Sequence, residues 1–113
     1  MKRGQLILVE FPFTDGQQSK IRPAVVVQSD AQNAALRKTV VAMITGNLRR
    51  KNDPSHVFLD PVADPALGIH GPSLISTINL FTIDQLAILR IIGTLSDSLT
   101  SALNTALRHS LSL

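Results

Sequence analysis

The sequence predicts a mainly-β domain that closes with a single helix, and three observations carry that prediction. Up to about Leu95 the apolar residues come in short runs, each stopped by Gly, Pro, Asn, Asp or Ser. From Ser96 the spacing changes, and Leu99, Ala102, Leu103, Ala106, Leu107 and Leu111 recur at helical intervals. The 113 residues are the size of one ordinary domain, without repeat, linker or low-complexity stretch. The expected architecture is one domain over residues 1–113, a small, strongly bent antiparallel sheet or barrel with a C-terminal helix.

Each element has a local reason. "GQLILVEFPF" reads as a first strand, with Pro12 ending regular pairing or marking an edge. "TDGQQSK" is a turn-rich loop in which Asp15-Gly16 is a hairpin signal. "IRPAVVVQS" returns as a strand, with Arg22 expected at its mouth and Pro23 locking the backbone beside it. "SDAQNAALRK" carries a Ser or Asp cap and predicts one or two helical turns. "TVVAMIT" is a buried third strand, followed by the polar basic loop "GNLRRKNDPS" and a short fourth strand, "HVFLD". "PVADPALGIHGP" is too rich in Pro and Gly to be regular. "SLISTINLFTI" reads as a fifth strand, and "LAILRIIGTL" as a further strand or a short helix plus strand. Ser96 or Asp97 can cap the last helix, whose negative end suits Arg108 and His109.

Composition narrows the classes. No apolar run reaches the roughly 20 residues that cross a bilayer, so no membrane role is expected. Glu10 and Pro12 interrupt the apolar N-terminal stretch, which argues against a secretory signal. With no cysteine there is neither disulfide nor thiolate chemistry, and a cytoplasmic location is the default expectation. The net charge of +3 is mild, but it is clustered. Lys2 and Arg3, Lys20 and Arg22, and Arg49, Arg50 and Lys51 form local groups of the kind that follow a phosphate backbone. His56, His70 and His109 stand isolated, without a metal-ligand spacing, so no metal or cofactor is expected.

Taken in order, "GQLILVEFPFTDGQQSKIRPAVVVQSDAQN", "TVVAMIT", "GPSLISTINLFTID" and "IIGTLS" before a helix resemble the PemK/MazF toxins. These are the ribonuclease components of bacterial toxin–antitoxin pairs. The resemblance runs from Gly4 to the final helix. It implies a compact SH3-like barrel that forms homodimers and cuts single-stranded RNA sequence-selectively without a metal. It also implies a cognate antitoxin that lays a tail across the dimer and blocks the RNA groove.

RNA breaks when its 2′-hydroxyl attacks the adjacent phosphate. An enzyme therefore has to remove that proton, stabilise the phosphorane and protonate the leaving 5′ oxygen. The resemblance places the catalytic arginine at Arg22, whose guanidinium stays charged and forks onto two phosphate oxygens. It places the second catalytic residue at Thr45. A hydroxyl is a poor base, so Thr45 is expected to hold the phosphate; a plain strand-end cap is the competing reading.

Two departures from the family pattern stand out. Many members carry a Glu shortly before the Arg-Pro step, where this chain has Gln17, Gln18 and Ser19. Some carry an Arg and an Asp where this chain has Ser76 and Ile78. No general base is assigned by the sequence.

For RNA grip the chain has no Trp or Tyr and four Phe, so base stacking is sparse. Phe13 is the expected platform. Lys20, Arg49 and Arg50 are expected on phosphates, and Asn47, Ser73 and Asn79 on base edges. His70, in the loop "GIHGP", reads as a loop histidine rather than a catalytic one. The alternative functions are a CcdB-like toxin aimed at a protein, and a catalytically weakened homologue that only binds an antitoxin.

Overall fold

The structure, a computed structural model, describes residues 1–12 and 19–113. Its first strand, β1 (Gln5–Pro12), pairs antiparallel with β2 (Ser19–Val26), Leu8 lying opposite Pro23 and Val9 opposite Arg22. A six-residue helix, α1 (Asp30–Ala35), leads into β3 (Lys38–Thr45). Ser29 caps α1 by accepting from the Gln32 N–H at 3.2 Å. After the basic loop come β4 (His56–Leu59), a 3-10 turn (Pro65–Leu67) and the long β5 (Ser73–Asp84). A second 3-10 turn (Gln85–Ala87) precedes β6 (Ile88–Thr94), which resolves the ambiguous stretch into a turn plus strand. The chain closes with α2 (Asp97–Leu111), capped as expected by Ser96, whose Oγ accepts from the Leu99 N–H.

The six strands form one antiparallel sheet in the order β4-β5-β3-β2-β1-β6. The mainly-β fold with a C-terminal helix is as the sequence predicts. The sheet is bent but not closed into a barrel, because β4 and β6 remain its two edges. Register shifts supply the bend: β1 slips twice against β6, and β3 slips once against β5.

Both faces of the sheet are buried, which explains why its strands read as continuous apolar runs rather than strict alternation. One face packs Leu6, Val25, Ala42, Ile44 and Ile75 against Leu103 and Ala106 of α2. The other gathers Ile7, Val9, Ala24, Val26 and Val41, with Met1, Phe11, Ile83 and Ile88 packed over them. Of the helical periodicity, Leu103 and Ala106 are buried and Leu99 and Leu107 half-buried against the core. Ala102 and Leu111 face outward.

β2 starts at Ser19, so Arg22 is an interior strand residue and not the strand's mouth, and Pro23 follows it within the strand. A proline is tolerated here because pairing with β3 begins only at Ala24 opposite Met43. Up to that point β2 has a neighbour on one side alone, and the missing N–H breaks no β3 hydrogen bond.

Candidate active site

The site begins with the irregularity in β5. Ala42 of β3 faces Leu80, yet the next residue, Met43, faces Ser76, so residues 77–79 have no partner on β3. Such a bulge re-aims side chains that the pleat would otherwise send to fixed faces. It is held from beneath by Thr77, which is buried and donates through both N–H (3.0 Å) and Oγ1 (2.6 Å) to the Ser55 carbonyl.

Beside the bulge opens a cleft of about 560 Å³. Met43 and Thr45 of β3 form one wall, and Ser76, Ile78 and Asn79 of the bulge form another. Asn47, Arg49 and Arg50 from the following loop and His56 from β4 complete it. Among the described residues, arginines are the charged side chains lining this cleft and no carboxylate lines it, which suits an anionic ligand.

Thr45 ends β3, where its Oγ1 accepts from the Asn47 N–H at 3.1 Å. Asn47 Oδ1 in turn accepts from the Arg49 N–H at 3.0 Å. The strand-end cap is therefore present, and it is compatible with a site role. The backbone occupies a lone pair of the hydroxyl and leaves its proton to donate into the cleft. Arg50 reaches back to Asp53 at 3.4 Å, and Lys51 Nζ lies 4.2 Å from the Phe58 ring centroid.

Arg22 is half-buried on β2, on the same strand face as Ala24 and Val26. Continuing the Ala24–Met43 pairing by two residues puts Arg22 opposite Thr45. The two residues named for catalysis thus come from neighbouring strands, but Arg22 lies beyond the paired segment of β2 and β3 and is not among the side chains lining the cleft.

The remaining expectations divide. Asn47, Arg49, Arg50 and Asn79 gather with Thr45 in the cleft, and Asn79 Nδ2 donates to Ser76 Oγ at 2.9 Å. Ser73 lies apart: its Oγ donates to the Gly71 carbonyl, and it lines a second cleft of about 340 Å³ with Pro23, His70 and Arg90. Lys20 is exposed on β2. Phe13 lies outside the described residues. Arg3, counted in a basic cluster, has a structural role. Its Nε donates to the Val27 carbonyl at 2.8 Å and a terminal nitrogen to Asn104 Oδ1 at 2.7 Å, tying β2's exit to α2.

Sequence reasoning missed one group at the cleft. His56, which has no metal-ligand spacing to the other histidines, lies beside Asp53 and Ser55 in a bonded chain. Asp53 Oδ1 accepts from the Ser55 N–H (2.8 Å) and from Ser55 Oγ (2.6 Å), and Ser55 Oγ stands 3.0 Å from His56 Nδ1. The two Ser55 hydrogen bonds, helped by the His56 ring and by a hydrogen bond from Arg50, hold the Asp53 carboxyl at about 2, well below its ordinary 3.8. The signal was the tight spacing "DPSH", which puts a carboxylate, a hydroxyl and an imidazole within one turn.

With this geometry in hand, comparisons with known proteins agree with one another. A family model described as "PemK-like, MazF-like toxin of type II toxin-antitoxin system" matches residues 2–111. The endoribonuclease EndoA of Bacillus subtilis is 29% identical, covering 100% of this chain and 96% of its own. The endoribonuclease MazF of Staphylococcus saprophyticus is also 29% identical, covering 100% of this chain and 92% of its own. Among solved structures, a mycobacterial endoribonuclease in complex with its cognate antitoxin superposes with a TM-score of 0.82 at 22% identity, covering 100% of this chain and 96% of that one. A MazE–MazF structure from Deinococcus radiodurans gives 0.79 at 17% identity, covering 100% and 97%. At such identities the structural likeness speaks for the fold alone.

Proposed function

The chain belongs to the PemK-like, MazF-like toxins of type II toxin–antitoxin systems, and from that premise we propose that it is an endoribonuclease that cuts single-stranded RNA. The observation that carries this reading is the cleft that Thr45 shares with Asn47, Arg49 and Arg50, in a chain matched by the family over residues 2–111. Arg22 stabilises the charge that builds on the phosphorane, and the Thr45 hydroxyl donates to a non-bridging oxygen from a rigid strand end. Arg49 and Arg50 hold neighbouring phosphates, while Asn47 and Asn79 present amides at the height of a base edge.

The partners follow from the same reading. The relatives are named endoribonucleases, which favours RNA over the protein target of a CcdB-like toxin. A mycobacterial structural neighbour is held by its cognate antitoxin, and the same kind of partner is proposed for this chain. A homodimer in the cytoplasm completes the proposal. Exposed apolar residues on two strands, among them Ile78, Phe81, Leu89 and Ile91, supply surface for such contacts. Among the described residues no helix is long and apolar enough to cross a membrane.

The test uses purified wild-type protein and Arg22→Ala with a long single-stranded RNA in EDTA, followed by mapping of the ends. Discrete cuts by wild type alone, leaving a cyclic or 3′ phosphate, support the assignment. Intact RNA with folded wild-type protein overturns it and points to a protein target.

A further inference from the structure

Resting on the ribonuclease reading, we infer that His56 is the general base missing from the loop before Arg22, held in its reactive tautomer by a Ser55–Asp53 relay. Asp53 is ionised at neutral pH, so its carboxylate only accepts. The Ser55 hydroxyl, 2.6 Å from Asp53 Oδ1, therefore gives its proton to the carboxylate. That leaves Ser55 Oγ as acceptor toward His56 Nδ1 at 3.0 Å, and Nδ1 must carry the ring proton. The neutral ring then bears its lone pair on Nε2. His56 is one of the side chains lining the cleft with Thr45 and Asn79, while only 3% of its side chain is exposed.

When Nε2 takes a proton, the positive ring is stabilised through Ser55 by a carboxylate 3.8 Å from Nδ1. The other charged groups around it are Arg49 and Arg50 on the cleft loop. From β3 and β5 the cleft receives Met43, Thr45, Ser76, Ile78 and Asn79, all uncharged. The helix α2, which packs on β4, carries Arg108 and His109, both exposed.

The step balances without a further reagent. The 2′-O–H bond breaks and its proton passes to His56 Nε2. The 2′ oxygen pair forms the new bond to phosphorus, and the P–O5′ bond breaks with its pair on O5′. Water protonates O5′, leaving a 2′,3′-cyclic phosphate and a 5′-hydroxyl, and the imidazolium returns its proton to solvent.

The experiment measures cleavage of a short single-stranded RNA carrying a mapped cut site, in EDTA across pH, for wild type, His56→Gln and Asp53→Asn. Wild type is expected to lose kcat/KM as pH falls and the ring protonates. His56→Gln is expected to lose at least about 100-fold in kcat, to lose that acid limb, and to bind the RNA as wild type does. Asp53→Asn removes the carboxylate that takes the Ser55 proton and so the fixed acceptor role of Ser55 Oγ toward Nδ1; its plateau is expected to fall.

A His56→Gln enzyme with wild-type rate and pH profile overturns the proposal while leaving the ribonuclease intact. Absence of wild-type cleavage overturns both. Should His56→Gln fail to fold, ring-nitrogen NMR of the wild-type protein decides: a neutral ring protonated on Nδ1 supports the relay, and one protonated on Nε2 overturns it.

Discussion

Thr77 places both its N–H and its hydroxyl on the single carbonyl of Ser55, at 3.0 and 2.6 Å. One residue of the β5 bulge is thereby fastened to the residue that precedes His56. The wall of the cleft and its histidine are thus positioned by the same anchor. Ser110 of α2 joins in, its Oγ lying 3.1 Å from Thr77 Oγ1, so the helix braces the site from behind.

Thr77→Val keeps the shape and deletes the hydroxyl in a fully buried setting. It is expected to cost about 1–3 kcal/mol, the range for an unmet buried polar group. Urea unfolding reads this directly, as a lower midpoint with an unchanged slope. A midpoint equal to that of wild type would mean that the bulge holds without its anchor.

Arg22→Ala is expected to lower RNA cleavage by about 100- to 1,000-fold, the cost of removing a donor aimed at developing charge. Arg22→Lys should recover only part of it, since an ammonium cannot fork onto two phosphate oxygens. Thr45→Val should cost about 10- to 100-fold, as for a lost hydrogen bond to a charged group. Single-turnover rates at saturating protein make the comparison, and a Thr45→Val enzyme of wild-type rate would reduce Thr45 to its cap.

Arg49→Gln with Arg50→Gln tests the loop. On single strands each phosphate neutralised contributes a slope of roughly −0.7 in log K against log salt. The double variant should therefore flatten the salt dependence of RNA binding by up to about 1.4. An unchanged slope would take the loop off the RNA path.

Gly68 and Gly93 lock the irregular loop onto β6. Gly68 has φ +68°, and a Cβ there would lie 1.8 Å from the Ile92 carbonyl oxygen. A Cβ on Gly93 would lie 2.1 Å from the Leu67 carbonyl oxygen. Backbone cannot yield as a side-chain tip can, so Gly93→Ala is expected to cost more than about 2 kcal/mol and to lower the melting temperature by several degrees.

Acid stability carries a sign that Asp53 sets. Its folded pKa lies below the unfolded one, so its contribution is complete above about 4 and is lost as pH falls toward about 2. Asp84 is lowered in the same direction by the Leu86 N–H and then by Arg37, so its contribution has the same sign. Asp53→Asn should show a shallower fall in melting temperature between pH 4 and pH 2 than wild type. Parallel curves would show the carboxylate to be as well served in the unfolded chain.

The fold was largely legible in the sequence because its signals are local. Ser96 caps α2, Leu103 and Ala106 turn inward, and the apolar runs become β1 to β6. The position of Arg22 was misjudged because Pro23 reads as a strand boundary. Only the late start of β3 pairing makes a proline acceptable within β2. The cleft joined Asn47, Arg49, Arg50 and Asn79 to Thr45; Ser73, three residues before Ser76 in regular register, falls on the other face of β5, while the slip between Ala42 and Met43 brings Asn79 to the cleft. A register slip leaves no mark that periodicity reveals. His56 is harder to read, because the spacing "DPSH" becomes a relay only once Ser55 Oγ bridges Asp53 and the ring.

The unpaired stretch of β5 has a consequence for how such a chain diversifies. Ile78 and Asn79 have no partner on β3, and both look into the cleft. The neighbouring Thr77 secures the stretch, with a side-chain bond from Asn79 to Ser76 beside it. Replacement at 78 or 79 leaves the β3 ladder untouched, so two of the side chains that line the cleft sit where folding exerts little selection. On the ribonuclease reading, a lineage can vary these two positions in single steps, without crossing a valley of unstable intermediates.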